Sequence, residues 1–261
     1  MDLKETRSKF FDYSSVHPWE IVRLEFAEQI LKNYAPEAIN LIDFGCGNCY
    51  VANKLEKDIG MEITAIDNAF SDDLLNALRK KTSGRNIRLA RNIDETFVPD
   101  NYYDVILLMD VLEHIEIDHN LLQDLVSNKK IKPGAVFVIT VPAFSLLYSR
   151  HDRLLGHWRR YTRRRICRLA EDCGAEVIDS GYIFSLLLIP RFISLLIQKI
   201  FHRHDLLDES TVAVGEWNRG ATLTAIIAFI LKADIFVGQL LNKLKIRIPG
   251  LSCYLVCRKP H

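Results

Sequence analysis

A chain of 261 residues with 49% apolar and 26% charged side chains can bury a sizeable core, which excludes wholesale disorder. Its length suits one large domain, or one domain with an embellishment. A formal charge of +1 excludes the basic excess of a dedicated nucleic-acid binder.

The opening residues, MDLKETRSKFFDYSS, are polar and lack an apolar core for export. With six cysteines and no such leader, the expectation is a cytoplasmic protein with reduced thiols. PWEIVRLEFAEQILKNYA predicts a helix near 18–34, and INLIDF a strand ending in Asp43 and Phe44. Glycines and a second helix follow, then strand EITAID. Ser71 is placed to cap a helix over SDDLLNALRKK. Short strand NIRLA, strand YDVILLM, a helix around 117–128 and strand AVFVITV continue the alternation. Thr162 is placed to cap a helix across 163–173, closed by Gly174. EVIDSGYIF and SCYLVCRK read as two last strands, and Cys253 and Cys257 on the second would pack on one side of it. Strands alternating with helices predict an α/β fold with a mostly parallel sheet covered on both faces.

Residues 185–251, between those last two strands, are apolar and mostly helical in pattern. Pro190–Arg191 and Gln198–Lys199 interrupt IFSLLLIPRFISLLIQKIF, and ATLTAIIAFIL stops at Lys232, so neither is expected to span a bilayer. Either could lie on a membrane surface, enclose an acceptor or meet a second subunit. The expected organisation is a core of 1–184 and 252–261 carrying a helical insertion at 185–251.

The chemistry begins at LIDFGCGNCYVANKL. Two glycines spaced GxG open a helix after a strand-end acid, the crevice where open α/β sheets hold ligands. Tyr50 stands where a dinucleotide fingerprint needs a third glycine, which weighs against a nicotinamide-dependent oxidoreductase. Asp43 instead suits a ligand with a positive group, and Asp67, ending the second strand, suits a ribose diol.

DFGCGN, ITAIDN, YDVILLMDVLEHI and KPGAVFVITVP, in order across 40–142, resemble the class I S-adenosylmethionine-dependent methyltransferases, in the branch of methyltransferase types 11, 12 and 23. The resemblance implies a Rossmann-like seven-stranded sheet whose last strand is antiparallel. It also implies S-adenosylmethionine as cofactor, with S-adenosylhomocysteine as product. Asp43, Gly45, Cys46 and Gly47 would surround the methionine part, Asp67 the ribose, and Asn68, Asn92 and Ile93 the adenine, with Asp110 at the fourth strand's end. Asn92 stands where many relatives carry Asp, and Cys49 replaces the third glycine of the family loop. A non-catalytic module that only binds the cofactor is the alternative from another class.

Three roles compete for Asp110, Glu113 and His114: a helix start, a general base in His114, or a divalent metal site, with Mg considered as the ion. Similar carboxylate-xx-Glu-His clusters hold metal in some small-molecule and RNA 3′-end methyltransferases, as the resemblance implies. The stretch RHDRLLGHWRRYTRRR holds seven arginines, two histidines and one acid in sixteen residues. The resemblance makes it a cover over the acceptor. Arg150, Arg159, Arg160 and Tyr161 are then expected to bind an anionic acceptor, and His114, His151 and His157 to supply the base, in that order. Arg163, Arg164 and Arg165 are expected to face outward, where cations at a helix N-terminus need an anion to offset the dipole. His17, Trp19 and Arg23, on a first helix folded over the site, would touch the acceptor. The expected activity is O-methylation of a small-molecule, lipid-linked or glycan-linked acceptor, with no nucleic-acid partner and with peripheral contact at the inner membrane face.

Overall fold

The computed structural model describes residues 16–200, 217 and 219–261, with backbone alone for 195–200. The polar opening stretch and residues 201–216 of the insertion lie outside the described residues.

The strands are β1 (Asn40–Phe44), β2 (Glu62–Ile66), β3 (Ile87–Ala90), β4 (Tyr103–Met109), β5 (Ile131–Pro142), β6 (Glu176–Ile183) and β7 (Ser252–Arg258). They form one sheet in the order β3-β2-β1-β4-β5-β7-β6. All pairs are parallel except those of β7, which runs antiparallel to both β5 and β6. This is the seven-stranded Rossmann-like arrangement with a reversed last strand that the motif order implied.

The helices are α1 (Pro18–Tyr34), α2 (Tyr50–Ile59), α3 (Asp72–Lys81), α4 (Asp118–Ser127), α5 (Arg150–Leu155), α6 (Arg163–Asp172), α7 (Ser185–Ile200) and α8 (Ala221–Lys243). Side chains alternate across each strand, so the central strands supply both layers at once. Val105, Leu107 and Met109 of β4 meet α1, α2, α3 and α8 on one face, and Ile106 and Leu108 meet α4 and α6 on the other. Cys253 and Cys257 both point into the second layer, fully buried.

Capping chemistry sets the boundaries. The Ser71 hydroxyl accepts from Leu74 N at 3.2 Å and the Thr162 hydroxyl from Arg165 N at 3.3 Å. The helix α5 was not expected from composition, yet Ser149 and Asp152 form a capping box and Gly156, left-handed at φ 79°, ends it. β5 begins earlier than expected because Ile131 already pairs with Tyr103.

The helix α8 also differs from expectation. It runs 23 residues, and an 18-residue window within it has mean hydropathy 1.9, so it is long and apolar enough by length and composition to cross a membrane. Lys232 interrupts the apolar run but not the helix, which the pattern already places across 221–244, and its ammonium reaches Glu25 of α1 at 2.7 Å. Ala228, Leu231 and Ile235 share one stripe that packs into the core beneath.

Candidate active site

From β1 the chain winds to β2 on one side and later to β4 on the other. The carboxyl ends of β1 and β4 therefore flank the sheet's switch point, where a crevice opens. The GCGN loop leaves β1 into this crevice. Gly45 N and Cys46 N donate to Ile66 O at 2.7 and 3.1 Å, and Gly47 N donates to Asp67 Oδ2 at 3.0 Å. Gly45 sits at φ +74°, and a Cβ there would lie 2.7 Å from Val111 Cγ2. Only glycine serves at that point. Cys46 and Cys49 are both buried, their sulfurs 3.8 Å apart.

Asp43 lies beneath the loop, 3% exposed, and its Oδ2 has no hydrogen-bond partner. Burial raises its carboxyl to about 6. An unsatisfied buried carboxylate beside a glycine turn fits a ligand that brings a cation and N–H donors. Asp67 is half-buried, its carboxylate accepting from Gly47 N and Ala69 N, both at 3.0 Å, and Asn68 beside it is exposed. Asn92 does other work: its Oδ1 accepts from Asp94 N and Glu95 N, both at 3.0 Å, capping a 3-10 turn, while its amide donates to Glu95. Ile93 beside it is half-buried.

A cavity of about 240 Å³ opens at the ends of β4 and β5. Trp19 and Arg23 of α1 line it, as expected, while His17 instead caps α1, its Nδ1 accepting from Trp19 N at 3.3 Å. The turn after β4 contributes Glu113 and His114, and the cover contributes His151, His157 and Arg160. All three expected histidines thus reach one space. The His114 and His157 rings meet edge to face, centroids 4.6 Å apart.

The cover is built on ion pairs. The Arg160 guanidinium, buried, donates to both oxygens of the fully buried Asp152, at 2.7 and 3.2 Å, and to Ala143 O at 3.2 Å. Burial opposes the Asp152 charge, but the His157 hydrogen bond and the Arg160 pair outweigh it and hold the carboxyl well below the usual range. Asp152 Oδ1 and His157 Nδ1 are 3.1 Å apart. An ionised carboxylate can only accept, so Nδ1 carries a proton, and in the neutral imidazole Nε2 is then the acceptor. Trp158 N donates to Glu113 O at 2.7 Å, tying the cover to the turn beneath.

Several expected acceptor residues lie elsewhere. Arg150 is exposed at the start of α5 and not among the residues lining the cavity. Arg159 turns to Asp118, at 2.9 Å, because that acid is the nearer counter-charge. Tyr161 is fully buried, its hydroxyl donating to Asp118 Oδ2 at 2.7 Å. Arg163 reaches back to Ser180 Oγ at 2.9 Å rather than outward, whereas Arg164 and Arg165 are exposed.

Asp110 sits at φ 57°, a left-handed conformation costing roughly 1–2 kcal/mol outside glycine. Its carboxylate takes Arg23 and the Thr140 hydroxyl, which removes it from the expected metal set. The candidate cluster is instead Glu113, His114 and His157, one donor atom of each within 4.8 Å of the others. Two imidazoles with one carboxylate suit Zn or a similar borderline ion better than Mg, which prefers oxygen. Glu113 is 1% exposed, neither carboxylate oxygen has a hydrogen-bond partner, and burial pushes it up to about 8.

Two charged lining residues, Glu20 and Arg191, were not among the expected site residues. Glu20, three residues before Arg23 on α1, is buried with an unpartnered oxygen. Arg191 of α7 reaches Ser149 Oγ at 2.7 Å and faces Asp152 at 3.9 Å. Its sequence signal was a cation interrupting an apolar run. Glu20 had none, because only the docking of α1 brings it here.

A family model described as a methyltransferase domain matches residues 19–180. The ubiquinone biosynthesis O-methyltransferases of Rickettsia canadensis and Rickettsia felis are each 28% identical to this chain over 131 residues. The match covers 49% of this chain, with 54% and 52% of theirs. The chain therefore spans about half the length of the curated relatives it matches. The [4+2]-cyclase SpnF shares the fold at TM-score 0.57 and 18% identity, over 96% of this chain and 86% of its own. The Burkholderia thailandensis 1,6-didemethyltoxoflavin-N1-methyltransferase, solved with bound 1,6-didemethyltoxoflavin and S-adenosylhomocysteine, does so at 0.55 and 14%, over 99% and 84%.

Proposed function

Since the chain belongs to the class I S-adenosylmethionine-dependent methyltransferases, with that nucleoside as its cofactor, we propose that it methylates an oxygen of an anionic, amphipathic small molecule. The observation that carries the reading is the cavity beside the switch point, where Arg160 and Arg191 meet an oriented imidazole. The names of the curated relatives support oxygen as the methylated atom.

When bound, the cofactor supplies an electrophilic methyl on a sulfonium. In this reading Asp43 and Asp67 hold its cationic and ribose ends, and the glycine loop lets its backbone approach. Arg160 and Arg191 orient the acceptor's anionic group. His157 Nε2 would take the acceptor's hydroxyl proton as that oxygen accepts the methyl, and Asp152 would stabilise the resulting imidazolium. This places His157, with its fixed tautomer, ahead of His114 and His151 as the base. The turn and cover keep water from the pair, so alignment does most of the remaining work.

Turnover with radiolabelled cofactor against hydroxylated aromatic acids, with and without apolar tails, tests the reading. His157→Ala is expected to lower kcat by about 10²–10⁴-fold while the cofactor's Kd holds. No transfer to any acceptor despite tight cofactor binding would favour a binding module.

A second reading rests on the Glu113–His114–His157 cluster, whose orphaned carboxylate also suits a divalent ion. Protein dialysed against a chelator is expected to keep its rate. Loss on dialysis with recovery on adding Zn2+ would transfer the cluster to a metal.

A further inference from the structure

We infer that the joined outer faces of α7 and α8 seat the protein on an anionic bilayer surface, without crossing it. The inference rests on the surface of the helices and not on the proposed reaction. On α8 the side turned from the core carries Phe229 and Phe236, 71% and 64% exposed, with Ile226 and Leu240 alongside. α7 packs against α8 and adds exposed Ile189, Phe192 and Ile193. Large apolar side chains left exposed on two helices packed side by side mark an interaction surface, since soluble domains rarely leave so many in water.

Charge decides the occupant. Residues 219–250 contain five Lys or Arg and one acid, Asp234, whose carboxylate is spent accepting from Leu186 N at 3.2 Å. Beyond α8 the chain reads Lys243-Leu244-Lys245-Ile246-Arg247-Ile248, every residue exposed. Cations interleaved with apolar side chains suit the boundary where anionic headgroups meet acyl chains. A two-fold contact with a second copy would oppose these cations to one another, which disfavours that occupant.

Orientation follows from the buried stripe. Ala228, Leu231 and Ile235 are committed to the core and Lys232 to Glu25, so α8 lies along the domain and offers only its outer side. α7 turns Arg191 into the cavity while its neighbours Ile189, Phe192 and Ile193 face out. Docking would therefore set the acceptor cavity next to the headgroup layer.

Co-sedimentation of the full chain with vesicles tests this, using zwitterionic lipid alone and lipid containing phosphatidylglycerol. Binding is expected with the anionic vesicles and should weaken in high salt. Phe229→Glu with Phe236→Glu is expected to reduce partitioning about tenfold or more. Lys245→Gln with Arg247→Gln should reduce it about fivefold per cation. Both variants should keep the wild-type melting temperature and cofactor Kd, which separates lost docking from misfolding. Equal sedimentation with and without vesicles would overturn the inference. So would a concentration-dependent dimer in ultracentrifugation that Phe229→Glu dissociates. Neither outcome bears on methyl transfer, which needs no vesicle to be measured.

Discussion

Asp43→Asn is expected to weaken S-adenosylmethionine binding by about 10- to 100-fold while leaving the unliganded protein at least as stable. The two effects have opposite signs for one reason. In the free protein the Asp43 carboxyl is buried with Oδ2 unpartnered, so its charge is a cost. A ligand cation turns that cost into charge-assisted hydrogen bonds, worth about 1.5–3 kcal/mol. The sign with pH follows. Its carboxyl is raised to about 6, so between about pH 4 and 6 the folded state holds more protons than the unfolded one. Stability of the free protein falls as pH rises through that window, by about 3 kcal/mol at most, and is flat above it. Asp43→Asn should remove this component, visible as the difference between wild-type and variant denaturant curves at pH 4 and pH 7. Calorimetry should show the variant's affinity loss at pH 7. An unchanged Kd would mean that the glycine loop holds the cofactor without this acid.

Asp152→Ala is expected to be the most damaging single change to the cover, costing about 3–5 kcal/mol. It would leave the buried Arg160 guanidinium without its counter-ion, and His157 without the acceptor that fixes its tautomer. Asp152→Asn should cost less stability but lower kcat, because the amide can donate to Nδ1 and reverse the ring's proton placement. Removing Arg160 as well should recover part of the loss, and the double-mutant cycle measures the coupling directly. The Asp152 carboxyl is held well below its usual range, so its contribution is complete above about pH 4 and lost as pH falls further. Asp152→Asn should therefore flatten the wild type's acid-induced loss of stability. A variant as stable as the wild type would show that the cover is held by packing instead.

Much of this molecule could be read along the chain. The reversed β7 was implied only by the family resemblance, whereas the α/β alternation, the caps at Ser71 and Thr162, and the glycines and acids around the switch-point crevice follow from local signals. These are side-chain periodicity, glycine's tolerance of positive φ, and acids at strand tips, each expressed within a few residues. The arginine stretch was recognisable as a unit, but its division of labour was not. Seven guanidinium groups look alike in sequence, and their roles were assigned by whichever acceptor folding brought near. Asp152 took Arg160, Asp118 took Arg159 and Tyr161, and Ser180 took Arg163.

The same holds for the cluster of Glu113, His114 and His157, and for Glu20 and Arg191 at the cavity. His157 meets Asp152 only five residues away, but Arg159 and Arg191 find their counter-charges on elements that meet only when the layers close. Local conformation obeys short-range sterics and hydrogen bonding, and these are written in neighbouring residues. Ion pairing and burial depend on which surfaces are pressed together, and no stretch of sequence carries that information alone.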